Sequence, residues 1–102
     1  MLTGVKIIDF TNYLPGPFAT LRLAELGAEV IKIEGPNGDP ARHLEPMGKG
    51  QGVIFTSNNR GKNSHFLNLK DTTDLNKVKE LILEADVIIE SFRPGVMKRL
   101  TL

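Results

Sequence analysis

Residues 7–34 read IIDFTNYLPGPFATLRLAELGAEVIKIE, two apolar strand-like runs on either side of a helical pattern. A strand, helix and strand this close together call for a right-handed parallel crossover. A hairpin needs no helix between its strands, and a right-twisted strand returns a helix onto its own sheet with one hand. Val5 to Phe10 is the first run, of the kind buried on both faces. Asn12 to Gly16 forms a turn, and Pro17 suits the first helical position, where a missing N–H costs nothing. Phe18, Leu21, Leu23, Ala24 and Leu26 make a broad apolar stripe that Gly27 ends as a C′ residue, and Glu29 to Glu34 is the second strand. The turn NYLPGPF stands where a nucleotide-binding unit carries its glycine-rich loop, yet it holds one glycine between two prolines.

Residues 35–52, GPNGDPARHLEPMGKGQG, contain five glycines and three prolines without periodicity. So long an aperiodic stretch in a compact domain is expected to be functional or covered by other elements. A helical turn is predicted over Gly52 to Asn58, then a third strand at about His65 to Leu69. Asp71 suits an N-cap with Asp74 at N3, ahead of Leu75, Val78, Leu81, Ile82 and Ala85 at helical spacing. Val87 to Glu90 is the fourth strand, and SFRPG leads into a short basic helix. The reading is α/β: a partial Rossmann-like parallel sheet with flanking helices, one domain over residues 1–102. Four short strands and about three helices cannot cover both sheet faces, so the chain reads as part of a larger domain or one that relies on other chains for burial.

Composition narrows the function. With 13 basic and 12 acidic side chains the net charge is +1, which gives no field directed at nucleic acid or an anionic membrane. There is no cysteine, which excludes disulfides, zinc-thiolate sites and thiol nucleophiles. The longest apolar runs fall far short of a bilayer span, and the first residues enter a strand without a signal-peptide layout; the expectation is a soluble cytoplasmic protein.

Ligands of open α/β sheets lie beyond the carboxyl ends of the strands. The residues expected there are Asn12 to Gly16, Glu34 and Gly35, Leu69 and Lys70, and Ser91 to Arg93. Lys70 and Arg93, with Arg60, Lys62 and Arg99, are predicted to meet at one rim, which suits a phosphate-bearing ligand; the plainer alternative is a set of solvated charges. Glu34 ends the second strand 18 residues after Gly16, where a dinucleotide fold keeps its ribose-binding acid. Against that reading, the turn lacks G-x-G-x-x-G and Pro17 removes an amide; a strand-end carboxylate is more often an ion-pair partner. His43 and His65 have no carboxylate at metal-ligand spacing and read as structural or exposed, so no metal is expected. Ser57, Ser64 and Ser91 lack a nucleophile-elbow context, and Asp9 is expected to accept backbone hydrogen bonds beside Thr11. No catalytic base or nucleophile stands out.

Four segments in order, LTGVKIIDFTNYLPGPFAT, LAELGAEVIKIEGPNGDPAR, NRGKNSHFLNLKD and ADVIIESFRPGVMKRL, together resemble the amino-terminal region of the class III CoA-transferases, a superfamily that includes the 2-methylacyl-CoA racemases. The resemblance runs from residue 2 to the end of the chain. It implies the first part of a large α/β domain, with a small domain elsewhere in the family, and a homodimer whose subunits interlock. Coenzyme A or acyl-CoA would be substrate rather than a tightly bound cofactor, with a carboxylic acid as the other partner. By position, the implied CoA contacts are Leu14, Pro15, Gly35, Leu67, Asn68, Leu69, Lys70, Ser91, Phe92, Arg93 and Arg99. Two departures stand out. Gly35 replaces an arginine of some members, and Asn63 replaces a basic residue common in the family's NRGKRS motif. The family's catalytic aspartate, and the racemases' histidine and aspartate pair, correspond to positions past residue 102. The resemblance therefore implies CoA binding without activity for this chain alone. Three other readings remain open: a racemase, a non-catalytic nucleotide-binding or assembly fragment, and a dinucleotide oxidoreductase.

Overall fold

The computed structural model describes residues 1–13, 15–43 and 53–102. Four strands form one sheet: β1 (Lys6–Asp9), β2 (Glu29–Glu34), β3 (Asn63–Phe66) and β4 (Val87–Ile89). Helices α1 (Pro15–Glu25), α2 (Val53–Asn58), α3 (Thr72–Leu83) and α4 (Val96–Arg99), with a 3-10 turn at Pro40–His43, complete the described elements. Every strand pairing is parallel and the order is β3-β2-β1-β4. The chain therefore steps outward from β1 through β2 to β3, then returns to the far side of β1 for β4. That reversal beside β1 is where open α/β sheets take their ligands.

Register fixes which side chains share a face. Ile8 lies opposite Ile31, and Asp9 opposite Lys32. Because strand side chains alternate, Ile8, Phe10, Ile31 and Ile33 fall on one face, where they bury Val78 of α3. Ile7 and Val30 lie on the other with Ala28, against Leu23 and Ala24 of α1. Each such side chain removed from water contributes about 1.5–3 kcal/mol, which is what holds α1 and α3 to the sheet. Beyond Ile7 and Val30, the α1 face changes character: Asp9, Lys32 and Glu34 are all fully buried there.

The helix ends follow their local chemistry. Asp71 is extended at the N-cap of α3 and its side chain accepts the Asp74 N–H, as expected. Gly27 follows α1 at a φ of 104°, a left-handed position that glycine takes without strain. The apolar stripe of α1 differs from expectation. Pro17, Thr20 and Leu21 are its buried residues, whereas Phe18 and Leu26 are about half exposed. The Asp9 carboxylate needs a hydroxyl partner above it, so the face of α1 that carries Thr20 turns inward. The third strand begins at Asn63 rather than near His65, because Asn63 and Ser64 pair with Ile31 and Lys32; Leu67 to Leu69 then belong to the loop beyond its carboxyl end. Of the aperiodic stretch, 35–43 folds over the sheet through the 3-10 turn, and the remainder lies outside the described residues.

Candidate functional site

At the carboxyl ends of β1, β2 and β3 the apolar α3 face continues past the last strand residues into an open groove of about 250 Å³. Phe10, Ile33 and Phe92 form its apolar base, and the Phe10 and Phe92 rings lie 5.7 Å apart at a 50° tilt. Leu67 and Leu69 add to that surface. Asn12, Gly35, Pro36, Asn68 and Lys70 supply the polar and backbone groups around it. A groove lined by aromatic and aliphatic side chains, by the amide residues Asn12 and Asn68 and by Lys70 suits a ligand with a flat ring and an anionic group. Local chemistry shapes the rim. The Asn68 carboxamide oxygen accepts the Lys70 N–H at 3.0 Å, while Asp74 accepts the Asn68 N–H at 2.9 Å. The Glu90 carboxylate accepts the Phe92 N–H at 2.8 Å, which turns the chain out of β4.

Beneath the same loops, on the opposite sheet face, lies a buried ionic network. The Lys62 ammonium sits 3.1 Å from Asp9 Oδ2, with both side chains fully buried, and also donates to the Asn59 side-chain oxygen and the Pro17 carbonyl. Asp9 further accepts the hydroxyl and N–H of Thr11 and the Thr20 hydroxyl. Lys32 pairs with Asp39 at 3.0 Å and donates to the Thr11 carbonyl at 2.7 Å. Glu34 takes a bidentate pair from Arg42, at 2.7 and 2.8 Å, and the Asp39 N–H. The Arg42 guanidinium in turn stacks 3.9 Å over the Phe55 ring. Burial raises the Glu34 carboxyl, but the Arg42, Asp39 and Ser64 hydrogen bonds and the Arg42 charge outweigh it and hold Glu34 below its ordinary value. Burial pushes the Lys62 ammonium below its ordinary value despite the opposing pull of Asp9.

The groove brings together Gly35, Leu67, Asn68, Leu69, Lys70 and Phe92 from among the sequence-predicted contacts. Pro15, Ser91, Arg93 and Arg99 are not among its lining residues: Pro15 opens α1, Ser91 and Arg93 flank Phe92, and Arg99 ends α4. Leu14 lies outside the described residues. Two predicted rim cations are elsewhere. Lys62 is buried against Asp9 because that carboxylate requires a counter-charge. Arg60 lies 4.0 Å from Glu25, the last residue of α1, and so sits toward the opposite end of the helix. Asn63 is exposed in β3 at the level of Ile31, well before the groove, so its neutrality does not bear on the rim. Glu34 is sealed under Arg42, which removes it as a ribose ligand. His65 lies in β3, and His43 Nε2 is 3.0 Å from the Asn37 carbonyl oxygen. Among the described residues no His, Cys, Asp and Glu cluster could hold a metal, and no helix is long and apolar enough to cross a membrane.

Sequence reasoning did not single out Lys32, Asp39 or Arg42. The signal was present in VIKIE, where charges alternate with isoleucines inside a strand. Two charges on one strand face require partners from a covering segment, and the neighbouring GDPAR supplies an acid and a base.

The family model for CoA-transferase family III matches residues 2–102. The chain belongs to this family. Among characterised relatives, the acetyl-CoA:oxalate CoA-transferase of Acetobacter aceti is 49% identical over 98 residues, 95% of this chain and 25% of that protein. The human succinyl-CoA:glutarate CoA-transferase is 44% identical over 103 residues, 99% of this chain and 24% of that protein. A crystal structure of a hypothetical protein from Mycobacterium tuberculosis superposes with a TM-score of 0.91 at 41% identity, over all of this chain and 28% of the other. A CAIB/BAIF family protein from Brucella suis gives 0.90 at 34% identity, over 99% and 28%. This member of CoA-transferase family III thus spans about a quarter of the length of the relatives it matches. The α/β fold anticipated from the sequence is the family's fold.

Proposed function

We propose that this chain is the CoA-receiving amino-terminal part of a class III CoA-transferase that moves CoA between an acyl-CoA and an acceptor carboxylic acid. The observation that carries the reading is the groove at the carboxyl edge, where partly exposed Phe92, packed on the buried Phe10 ring, and the loop residues Gly35 and Leu67 to Lys70 line one site. An adenine ring against Phe92 and a phosphate met by Lys70 are the contacts proposed there. Leu14, Pro15, Ser91, Arg93 and Arg99 extend the proposed contact set along the loops that leave β1 and β4. Transfer is favoured over racemisation because the relatives with described substrates are named as CoA-transferases. The dinucleotide reading loses its acid, since Glu34 is engaged by Arg42.

In the complete enzyme a carboxylate attacks the acyl-CoA carbonyl to give a mixed anhydride and CoA thiolate. The thiolate attacks the enzyme carboxyl carbon, which releases the donor acid and leaves an enzyme–CoA thioester. The acceptor carboxylate reverses the same two exchanges to leave as its own CoA thioester and free the enzyme carboxylate. Asp9, Glu34 and Asp39 are not candidates for that role, because each is buried in an ion pair. The chain alone is further proposed to bind CoA without transferring acyl groups. Pairing into an interlocked homodimer and a cytoplasmic setting belong to the same proposal; the half-exposed Val87 and Ile88 of β4 supply apolar surface for further packing.

Calorimetric titration of the chain with CoA and with NAD tests the reading. CoA binding that exceeds NAD binding, and that weakens with salt, is the expected result. Tighter binding of NAD, or no CoA binding at low salt, would refute it.

A further inference from the structure

We propose that Asp39, working with Lys32, is a positioning latch that holds the first turn in the shape that receives CoA; this rests on the CoA-binding reading above. The turn after β1 contains Tyr13, at a φ of 65°. Left-handed backbone is disfavoured for a bulky L-residue and persists only where surrounding contacts over-determine it. Here the contacts come from a different segment. Asp39 Oδ1 accepts the Tyr13 N–H at 3.1 Å, and Lys32, paired with Asp39 Oδ2, donates to the Thr11 carbonyl at 2.7 Å. The backbone on both sides of Asn12 is thus tied to one buried ion pair, and Asn12 lines the groove. Asp39 also sets the second groove loop. Its N–H donates to Glu34 Oε1 at 2.7 Å and its Oδ1 accepts the Ala41 N–H at 2.9 Å, which closes the turn carrying Gly35 and Pro36. One buried carboxylate, itself outside the groove lining, therefore fixes the relative placement of two loops of the same groove.

Removing Asp39 alone would strand the Lys32 charge and risk unfolding, so the test uses paired changes that leave no unpaired ion. Lys32→Met/Asp39→Asn keeps an oxygen for the Tyr13 N–H. Lys32→Met/Asp39→Ser keeps only the shorter reach that caps the 3-10 turn. CoA affinity of the serine pair is expected to fall about tenfold below that of the asparagine pair, the population lost when one L-residue relaxes from the left-handed region. Adding Tyr13→Gly to the serine pair is expected to recover most of the loss, because glycine adopts the turn unaided. Equal affinities for the two pairs would overturn the latch, and so would a loss that Tyr13→Gly leaves untouched, which would mark a purely structural role. If the serine pair does not fold, hydrogen exchange in the unmodified chain decides. A protected Tyr13 amide supports the latch, and one exchanging at the rate of an open loop overturns it. No CoA binding by the unmodified chain overturns the proposed function itself, an outcome separable from binding that all variants retain.

Discussion

The single glycine of NYLPGPF makes the sharpest test of the fold. A Cβ placed on Gly16 would lie 2.3 Å from Thr11 Cβ, 2.5 Å from Cγ2 and 2.6 Å from Oγ1. Ordinary contact between such atoms is about 3.5–4.0 Å, so the overlap exceeds about 1 Å against three atoms. Thr11 cannot swing away: it is 1% exposed and its hydroxyl and N–H are both bound to Asp9. Overpacking of this kind costs about 1–3 kcal/mol, and three close contacts against a pinned side chain place Gly16→Ala near about 3 kcal/mol. Helix propensity acts the other way, since Gly16 lies within α1 and alanine there gains about 1 kcal/mol. The net expectation is a loss of about 2 kcal/mol, or a fall in melting temperature of about 8–16 °C for a domain of this size. Circular dichroism melts of the two proteins read the difference. Sign is the decisive feature, because without the Thr11 contact the substitution should stabilise. In a Thr11→Gly background the penalty is expected to vanish, with a coupling of about 3 kcal/mol in the double-mutant cycle. An unchanged or raised melting temperature for Gly16→Ala would refute the close approach of α1 to Thr11, and with it the reason the turn carries a glycine.

Three further outcomes can be checked. Lys62→Met leaves Asp9 buried without its ammonium partner and is expected to cost about 3–5 kcal/mol in denaturant titrations, most of which Asp9→Asn in the same chain should restore. Because Glu34 is held below its ordinary value of 4.5, the unfolded chain binds more protons than the folded one as that range is crossed. Its contribution is therefore present above about pH 4.5 and lost as pH falls through the folded value, and Glu34→Gln should flatten the acid limb of a stability–pH profile. At the groove, Lys70→Ala is expected to weaken CoA binding about threefold to tenfold at low salt and less at high salt. Gly35→Arg should strengthen binding a few-fold, since a Cβ there meets no described atom within 4 Å and the new cation faces the groove.

How much of this is legible in the sequence follows from the range of each interaction. Glu29–Glu34, the Asp71 cap and the Gly27 stop depend on neighbours within a few residues, and sequence places them correctly. The boundary of β3 depends on pairing with Ile31 and Lys32, so local propensity set it about two residues late. Of the groove lining, Gly35, Leu69, Lys70 and Phe92 were reachable because parallel strands deliver their following loops to one edge, whereas Leu67 and Asn68 were implied only by the family resemblance. Arg60 and Lys62 were misplaced because a cation's destination is fixed by whichever carboxylate is left unpaired in the fold. Those carboxylates belong to Glu25 and Asp9, distant in the chain.

Sequence by itself determined the alternation of strand and helix and the parallel sheet, since these rest on hydrophobic period and short-range turn chemistry, and its four ordered motifs carried the resemblance to the family. Only the tertiary structure decided that one sheet face turns ionic at its carboxyl half, that Asp39 grips the Tyr13 turn, and that Gly16 must lack a side chain. Each of those depends on atoms brought within about 3 Å across separations that no local pattern encodes, and burial then makes every such charge answer to a partner.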